Sequence, residues 1–305
     1  MMEIAFLGTS ASAPSVDRGL SSAIVMFRAQ RFLVDCGEGT QRQILRSGLG
    51  FKRLDTILLT HGHLDHILGL GGLVSTFARW ESSSGLRIYG GEWALDRVRD
   101  LMKVVLRGDE PDLRLEFVEI LPGVIWQDEY LTVTAFPVIH RGPGCYGFTF
   151  EERSRRPFLV DIADALGVPA GPERRKLVGG ESIVLASGMV VEPDDVLGEP
   201  IPGTKLVFVG DAGRVKDLIP YARSADALVI ESTYVGRDAD MAARFGHITA
   251  SQAAGLARDA GVKQLYLVHI SRRYSDREIL REASKVFPNV IVPRDLDMYS
   301  IAREG

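Results

Sequence analysis

The fold is decided by one short stretch, Thr60-His61-Gly62-His63-Leu64-Asp65-His66. It follows the apolar run 55–59, whose length and β-branched content predict a buried strand, and it precedes a segment with helical spacing. Three imidazoles and a carboxylate at a strand end are donors that zinc and manganese accept, whereas core packing does not call for them. The spacing places the first two histidines on one side of an extended segment, with Asp65 and His66 at the turn into the helix. The stretch therefore predicts a metal site rather than a histidine-rich surface loop.

The other three histidines of the chain occupy similar positions. His140 and His269 each end an apolar run, His247 lies in a loop bounded by Gly246, and the run 205–211 ends in Asp211. The carboxyl ends of strands in a layered α/β fold meet at one edge, where binding sites are built. We therefore expect these side chains to join the first cluster in a site for two metal ions. Asp35, after another apolar run, is expected to support the cluster by hydrogen bonding.

Composition limits the possible classes of protein. The 305 residues, 46% of them hydrophobic, suffice for one large domain or two, and a net charge of −4 argues against a globally basic nucleic-acid binder. Contacts with nucleic acid would have to come from local basic patches. Cys36 and Cys145 are predicted to be reduced thiols in the core. With neither a signal-peptide pattern nor an apolar run of membrane-spanning length, the sequence predicts a soluble cytoplasmic protein.

The order of the predicted elements indicates the fold class. Strands come first, and strands alternating with helices follow, in two similar halves, which predicts an α/β protein with two facing sheets and helices outside. In the second half we expect a helix over 215–222, a helix over 250–260 capped by Thr249, and a last strand near 290–292.

The segment 151–203 departs from this alternation. It is rich in proline and contains two groups of basic residues, and its apolar stretches are short and interrupted, which predicts little buried core. Either it is an irregular surface insertion, or it is a protruding, partly basic arm with a function, as is usual for a loop of this length in a compact domain.

The residues quoted so far resemble the metallo-β-lactamase fold and, more narrowly, the short form of the ribonuclease Z family of tRNA 3′-processing endonucleases. The resemblance covers essentially the whole chain and includes the strand–helix turn 32–43. The segments 166–172 and 176–177 resemble the glycine–proline motif of that family's tRNA-binding arm, which most other enzymes of this fold lack. The resemblance implies an αββα sandwich with the arm, 151–203, inserted into a single catalytic domain, 1–305.

The resemblance also implies a set of metal ligands. One divalent ion would bind to His61, His63 and His140, and a second to Asp65, His66 and His269. Asp211 would bridge the two, as its paired oxygens also suggest. The expected cofactors are two divalent ions per subunit, zinc in the first place with manganese as the alternative.

The same resemblance assigns the remaining chemistry. Glu231 and His247 match paired loops that place a Glu–His couple beside the metals, where His247 would give a proton to the leaving oxygen and Asp65 would orient or deprotonate the attacking water. The expected partners are precursor tRNA and a second copy of the chain in a homodimer, without a membrane. The residues expected to contact RNA are Arg153, Arg155, Arg156, Gly171, Pro172, Arg174, Arg175, Lys176, Arg272 and Arg273.

Three questions stay open from the sequence. Val16 and Gly19 stand where the family usually has lysine and asparagine, so rejection of tRNA that ends in CCA is in doubt. A small-substrate phosphodiesterase or an arylsulfatase-like hydrolase on the same fold is the alternative enzyme, although such a substrate would not require the arm. A non-catalytic binding module is a third possibility, although a decayed site would be expected to lose ligands.

Overall fold

The computed structural model describes residues 1–80, 85–106 and 113–303. Its strands are β1 (Met2–Gly8), β2 (Ser22–Phe27), β3 (Gln30–Val34), β4 (Thr56–Leu58), β5 (Leu86–Gly90), β6 (Leu115–Glu119), β7 (Gly123–Gln127), β8 (Leu131–Pro137), β9 (Tyr146–Glu152), β10 (Ile183–Val184), β11 (Val190–Val191), β12 (Lys205–Phe208), β13 (Ala227–Glu231), β14 (Gln264–Val268), β15 (Val290–Ile291) and β16 (Met298–Ile301). Its helices are α1 (Thr40–Arg46), α2 (Leu64–Ile67), α3 (Leu70–Trp80), α4 (Glu92–Val105), α5 (Val160–Ala165), α6 (Pro172–Val178), α7 (Pro193–Val196), α8 (Ile219–Ala222), α9 (Ala239–Phe245), α10 (Ala250–Ala260) and α11 (Asp276–Ala283). None of the helices in these described ranges is long and apolar enough to cross a membrane.

The chain divides into two compact units, one formed by residues 152–203 and the other by the rest. Within the described part of the larger unit, one sheet has the strand order β16-β1-β2-β3-β4-β5-β6 and the other β15-β14-β13-β12-β9-β8-β7. In the first sheet β3, β4 and β5 run parallel, and in the second β12, β13 and β14 do.

Alternate side chains of the strands enter different hydrophobic cores. On β12, Leu206 and Phe208 belong to a core shared by the two sheets, whereas Val207 packs with helical residues on the other face. This period of two is the geometry of a strand buried on both faces. Helices α1, α3 and α4 cover the outer face of the first sheet, and α8, α10 and α11 cover that of the second. The result is the predicted αββα sandwich.

Polar side chains of the candidate site lie at the carboxyl ends of the parallel strands. Asp35 follows β3, His61 follows β4, Asp211 follows β12 and His269 follows β14, while Glu231 is the last residue of β13. Because parallel strands end at the same edge of a sheet, and the two sheets face one another, these residues converge.

Several predicted elements need correction. The strands β7 and β16 were not expected; β7 is largely exposed and lacks the alternation of a half-buried strand, and β16, not 290–292, is the last strand. The helix expected over 215–222 is a 3₁₀ turn, Lys216–Leu218, followed by α8, because Pro220 has no N–H to continue the hydrogen-bond ladder. The helix α10 and its cap at Thr249 agree with the prediction, as do the two free, buried cysteines.

The smaller unit is more ordered than its sequence predicted. Helices α5, α6 and α7 and the hairpin β10–β11 surround a small core of six buried side chains: Ala163, Val168, Leu177, Ile183, Val191 and Val196. The small size of this core agrees with the expectation of little buried core. Its order was not predicted, because the apolar residues come from separate short elements and show no period within any one of them.

Candidate metal centre

Two groups of donor atoms lie side by side at the strand ends. The first consists of His61, His63, His140 and Asp211, and the second of Asp65, His66 and His269. Within each group the nitrogen and oxygen atoms lie no more than 4.8 Å apart, in the part of the chain that the structure describes. Imidazole and carboxylate are the donors that zinc and manganese prefer, and each group could hold one divalent ion.

Asp211 faces both groups through different oxygen atoms. Its Oδ2 lies 3.6 Å from Nε2 of His140 and 3.8 Å from Nε2 of His61, whereas its Oδ1 lies 3.5 Å from Nε2 of His66 and 3.4 Å from Nε2 of His269. A carboxylate placed in this way can bind one cation with each oxygen. The arrangement is the one expected for a ligand between two ions.

The chemistry of the donor set fits divalent cations. Nε2 of His66 and Oδ1 of Asp211 are buried and make no hydrogen bond within the described residues, although buried polar atoms are almost always satisfied. Burial lowers the pKa of His61 and lowers that of His63 to about 4, so both rings keep a lone pair for a cation at neutral pH. The orphaned atoms and the neutral rings both indicate positive charge at this position.

Asp35 supports part of the cluster by hydrogen bonding, without belonging to either donor group. Its carboxylate accepts hydrogen bonds from Nδ1 of His66 at 2.7 Å and from the backbone N–H of Thr60 at 2.8 Å. His140 is held in the same manner, with Nδ1 donating to the carbonyl oxygen of Gly246 at 2.6 Å. Since Nδ1 carries the proton in both rings, the neutral form of each ring has its lone pair on Nε2, towards the centre.

The backbone is strained at two points of the site. Asp35 and His269 have φ values of 57° and 55°, in the left-handed region that residues with a Cβ rarely adopt. Each directly follows a parallel strand, and each side chain contacts other residues of the site. Such strain persists only where surrounding contacts hold it, and it is often found at functional sites.

The couple of Glu231 and His247 lies against both groups. Nδ1 of His247 is 3.0 Å from Oε1 of Glu231, and the imidazole ring centre is 5.0 Å from that of His140 and 5.5 Å from that of His269. Burial lowers the pKa of His247, but the carboxylate of Glu231 outweighs it and raises the pKa to about 9. The cap of α10 is provided by Thr249 itself, so His247 is not required to cap that helix.

The residues expected to contact RNA have different local roles. Arg153, Arg155, Arg175 and Lys176 are exposed, as are Arg272 and Arg273 in the loop after His269. Within the smaller unit, Arg156 donates to the carbonyl oxygens of Leu197 and Gly198, and Arg174 donates to that of Val168. Gly171 has a φ of 123°, which requires glycine, and Pro172 begins α6. Arg156 and Arg174 therefore help to fold this unit.

Two residues of the site could not have been found from the sequence. Thr60 and Thr233 are buried, and each hydroxyl lies between a carboxylate and an imidazole. Threonine is common in strands and their connecting loops, so nothing in the composition separates these two from the others. The only signal is their position, Thr60 directly before His61 and Thr233 two residues after Glu231.

Known proteins resemble this chain over its full length. Residues 181–270 match the sequence family described as beta-lactamase superfamily domain, and residues 2–153 match the family described as anti-Pycsar protein Apyc1. A protein of Bradyrhizobium diazoefficiens named ribonuclease Z is 44% identical over 97% of this chain and 99% of its own length. One of the same name from Listeria innocua is 38% identical over 98% and 99%. The crystal structure of human tRNase Z, short form, superposes with a TM-score of 0.70 at 26% identity, covering 99% of this chain and all of that one.

Proposed function

The chain belongs to the ribonuclease Z family, and we propose that it is an endoribonuclease that removes the 3′ trailer from precursor tRNA. It would hydrolyse one phosphodiester bond and leave a 3′-hydroxyl on the tRNA. The observation that carries the proposal is Asp211 with one oxygen towards each donor group, next to the couple of Glu231 and His247. Membership of the family supplies the substrate, and this site supplies the means of hydrolysis.

We further propose two divalent ions per subunit, zinc with manganese as the alternative. The residues that would hold them are His61, His63 and His140 for one, Asp65, His66 and His269 for the other, and Asp211 for both. When bound, such ions supply Lewis-acid charge for the phosphoryl oxygens and lower the pKa of water.

Asp65 is proposed to orient the attacking water and accept its proton. Its side chain is 14% exposed, whereas those of Asp211 and His269 are 2% exposed, and its Oδ2 accepts the backbone N–H of Ser12 at 2.9 Å. This contact fixes the carboxylate while leaving it accessible. In the reaction the water oxygen joins the phosphorus, and the bond between the phosphorus and the 3′ oxygen of the tRNA breaks.

His247 is proposed to give a proton to that leaving 3′ oxygen. Its side chain is 12% exposed, and its Nδ1 is occupied by Glu231, so Nε2 is the ring atom left to face substrate. The completely buried carboxylate of Glu231 fixes the orientation of the ring and favours its protonated form. A positioned general acid of this kind typically accelerates hydrolysis by 10² to 10⁴-fold.

RNA binding is proposed for two separate regions. Arg272 lines a cleft of about 750 Å³ together with Arg277 and Arg294, beside the carboxylates of Asp17, Asp276 and Asp295. Ile270, which directly follows the candidate ligand His269, also lines this cleft. Guanidinium groups there suit the phosphates of an approaching strand. The unit 152–203 is proposed as the second RNA-binding region, with Arg153, Arg155, Arg175 and Lys176 as the exposed contacts. The protein is proposed to act as a cytoplasmic homodimer.

The decisive experiment uses a 3′-extended precursor tRNA with mapped product ends. We expect one cut, a tRNA with a 3′-hydroxyl and a trailer with a 5′-phosphate, abolished by a chelator and restored by zinc or manganese. A second precursor in which the trailer follows an encoded CCA tests the exposed loop around Val16. Equal cleavage of folded precursor tRNA and of unstructured RNA would contradict the proposal. Absence of cleavage by protein that is loaded with metal would also contradict it.

A further inference from the structure

Two buried threonines occupy equivalent places in the site, one in each half of the fold. Oγ1 of Thr60 lies 2.7 Å from Oδ2 of Asp35 and 3.0 Å from Nδ1 of His61. Oγ1 of Thr233 lies 2.5 Å from Oε2 of Glu231 and 2.8 Å from Nδ1 of His269. In both places a hydroxyl separates a buried carboxylate from an imidazole that faces the donor groups.

The number of protons decides the direction of these hydrogen bonds. A hydroxyl has one proton to donate, and an ionised carboxylate can only accept. Thr60 therefore donates to Asp35 and Thr233 to Glu231, and each threonine oxygen can only accept from the ring nitrogen beside it. His61 and His269 must then carry a proton on Nδ1, which leaves Nε2 as the nitrogen with a free lone pair.

These nitrogens face the positions where cations are expected. Nε2 of His61 lies 3.8 Å from Oδ2 of Asp211, and Nε2 of His269 lies 3.4 Å from Oδ1 of the same residue. Nε2 of His61 also lies 2.8 Å from Nδ1 of His63, and Nε2 of His269 also lies 3.4 Å from Oδ2 of Asp65. The two threonines thus serve different donor groups. With the tautomer reversed, a proton on Nε2 would occupy the place of the cation.

Each carboxylate consequently fixes two rings, one directly and one through a hydroxyl. Asp35 holds His66 directly and His61 through Thr60, and Glu231 holds His247 directly and His269 through Thr233. Thr60 is 1% exposed and Thr233 is 3% exposed, so water does not compete for either hydroxyl.

We propose that Thr60 and Thr233 are positioning residues, each of which sets the tautomer of one ligand histidine for one of the two ions. The inference rests on the proposed metal centre. It adds that Glu231 serves both the proton donor and the second ion, and that Thr233 is the link between them.

The test replaces each threonine by valine, which has nearly the same shape without the hydroxyl, and by serine, which retains it. Protein labelled with ¹⁵N-histidine is studied by long-range ¹H–¹⁵N spectra, in which the protonated and unprotonated ring nitrogens have different shifts. Zinc affinity is measured by competition with a chelator. In Thr233→Val we expect the ring of His269 to lose its preference for Nδ1–H, and one of two zinc ions to bind about 10 to 100-fold more weakly.

The matched variant Thr60→Val should change His61 and the other ion instead, and both serine variants should restore the original spectra and affinities. Valine variants with unchanged tautomers and unchanged affinity for both ions would overturn the inference. If a valine variant does not fold, the spectrum of the original zinc-bound protein still decides, because His61 or His269 bound through Nδ1 contradicts it. A chain that shows these tautomers but does not cut precursor tRNA would refute only the proposed function.

Discussion

Nδ1 of His247 lies 3.0 Å from Oε1 of Glu231, and the carboxylate that holds it is completely buried. Oε1 of Glu231 also accepts the backbone N–H of Ala212 at 2.6 Å, directly after the candidate bridging ligand Asp211. The carboxylate therefore fixes the backbone beside one functional residue and the ring of another. A buried charge held by several donors keeps its position, and so does the ring that it aligns.

The first prediction separates proton donation from metal binding. His247→Ala removes a ring that the proposed site does not use as a ligand, so the protein should retain its metal while cleavage slows by about 10² to 10⁴-fold. Single-turnover rates and metal content on the same preparation provide the check. Loss of metal together with activity would make His247 a ligand instead. Glu231→Gln should reduce the rate less than His247→Ala, because the ring itself is still present.

The second prediction concerns the number of ions. Two donor groups with Asp211 facing both should bind two divalent ions per subunit, so elemental analysis of gently purified protein should give a value close to two. Asp211→Ala removes a donor from both groups and should lower the affinity for both ions, whereas His140→Ala should affect one. A metal content near zero that added zinc or manganese does not restore would refute the model of two ions.

The third prediction tests the support from Asp35. Asn in Asp35→Asn tolerates the left-handed backbone, but its amide places N–H groups against donors of Thr60 and His66. We expect the free energy of unfolding of metal-free protein to fall by about 1–3 kcal/mol. Zinc affinity should fall about 10 to 100-fold. Asp55→Asn, an exposed carboxylate before β4, is the matched control, and equal losses in both variants would argue against a special role for Asp35.

The sequence predicts some parts of the fold and of the candidate site better than others. The candidate ligands were visible because His61, Asp211 and His269 each follow an apolar run, and parallel strands bring such ends together. The roles of Thr60 and Thr233 were invisible, because they depend on contacts between segments far apart in the chain. Strand β16 was missed because it is short and only one of its four residues is buried, and its pairing with β1 is what makes it a strand.

The core of the smaller unit was also not predictable from the sequence. The core residues come from three helices, a hairpin and a loop, so no single segment contains a periodic apolar pattern. Residues 152–203 also contain nine acidic and six basic side chains, so the unit as a whole is acidic although the run Arg174–Lys176 is basic. Attraction to RNA has to come from a few exposed side chains rather than from the unit as a whole.

The last prediction decides whether this unit binds tRNA. Arg155 and Ile201 pair through two backbone hydrogen bonds of 3.0 and 2.8 Å, so residues 156–200 can be replaced by a two-residue Asn-Gly turn that closes the same hairpin. Binding of precursor tRNA should weaken and become less dependent on salt, whereas hydrolysis of a small chromogenic phosphodiester and metal content should stay unchanged. The candidate ligands all lie outside the deleted segment.

A finer version of this experiment keeps the unit folded. Arg175→Glu with Lys176→Glu changes two exposed residues of α6, and should lower the slope of log affinity against log salt by roughly one for each lost phosphate contact. Arg258→Glu with Lys285→Glu makes the same change of charge elsewhere on the surface and should have a smaller effect. If the hairpin variant cleaves precursor tRNA as well as the original protein does, the unit is a passive insertion that the reaction on tRNA does not require. Loss of the chromogenic reaction and of metal would show that the replacement damaged the larger unit. The variant with Arg175→Glu and Lys176→Glu would then decide whether the smaller unit binds tRNA.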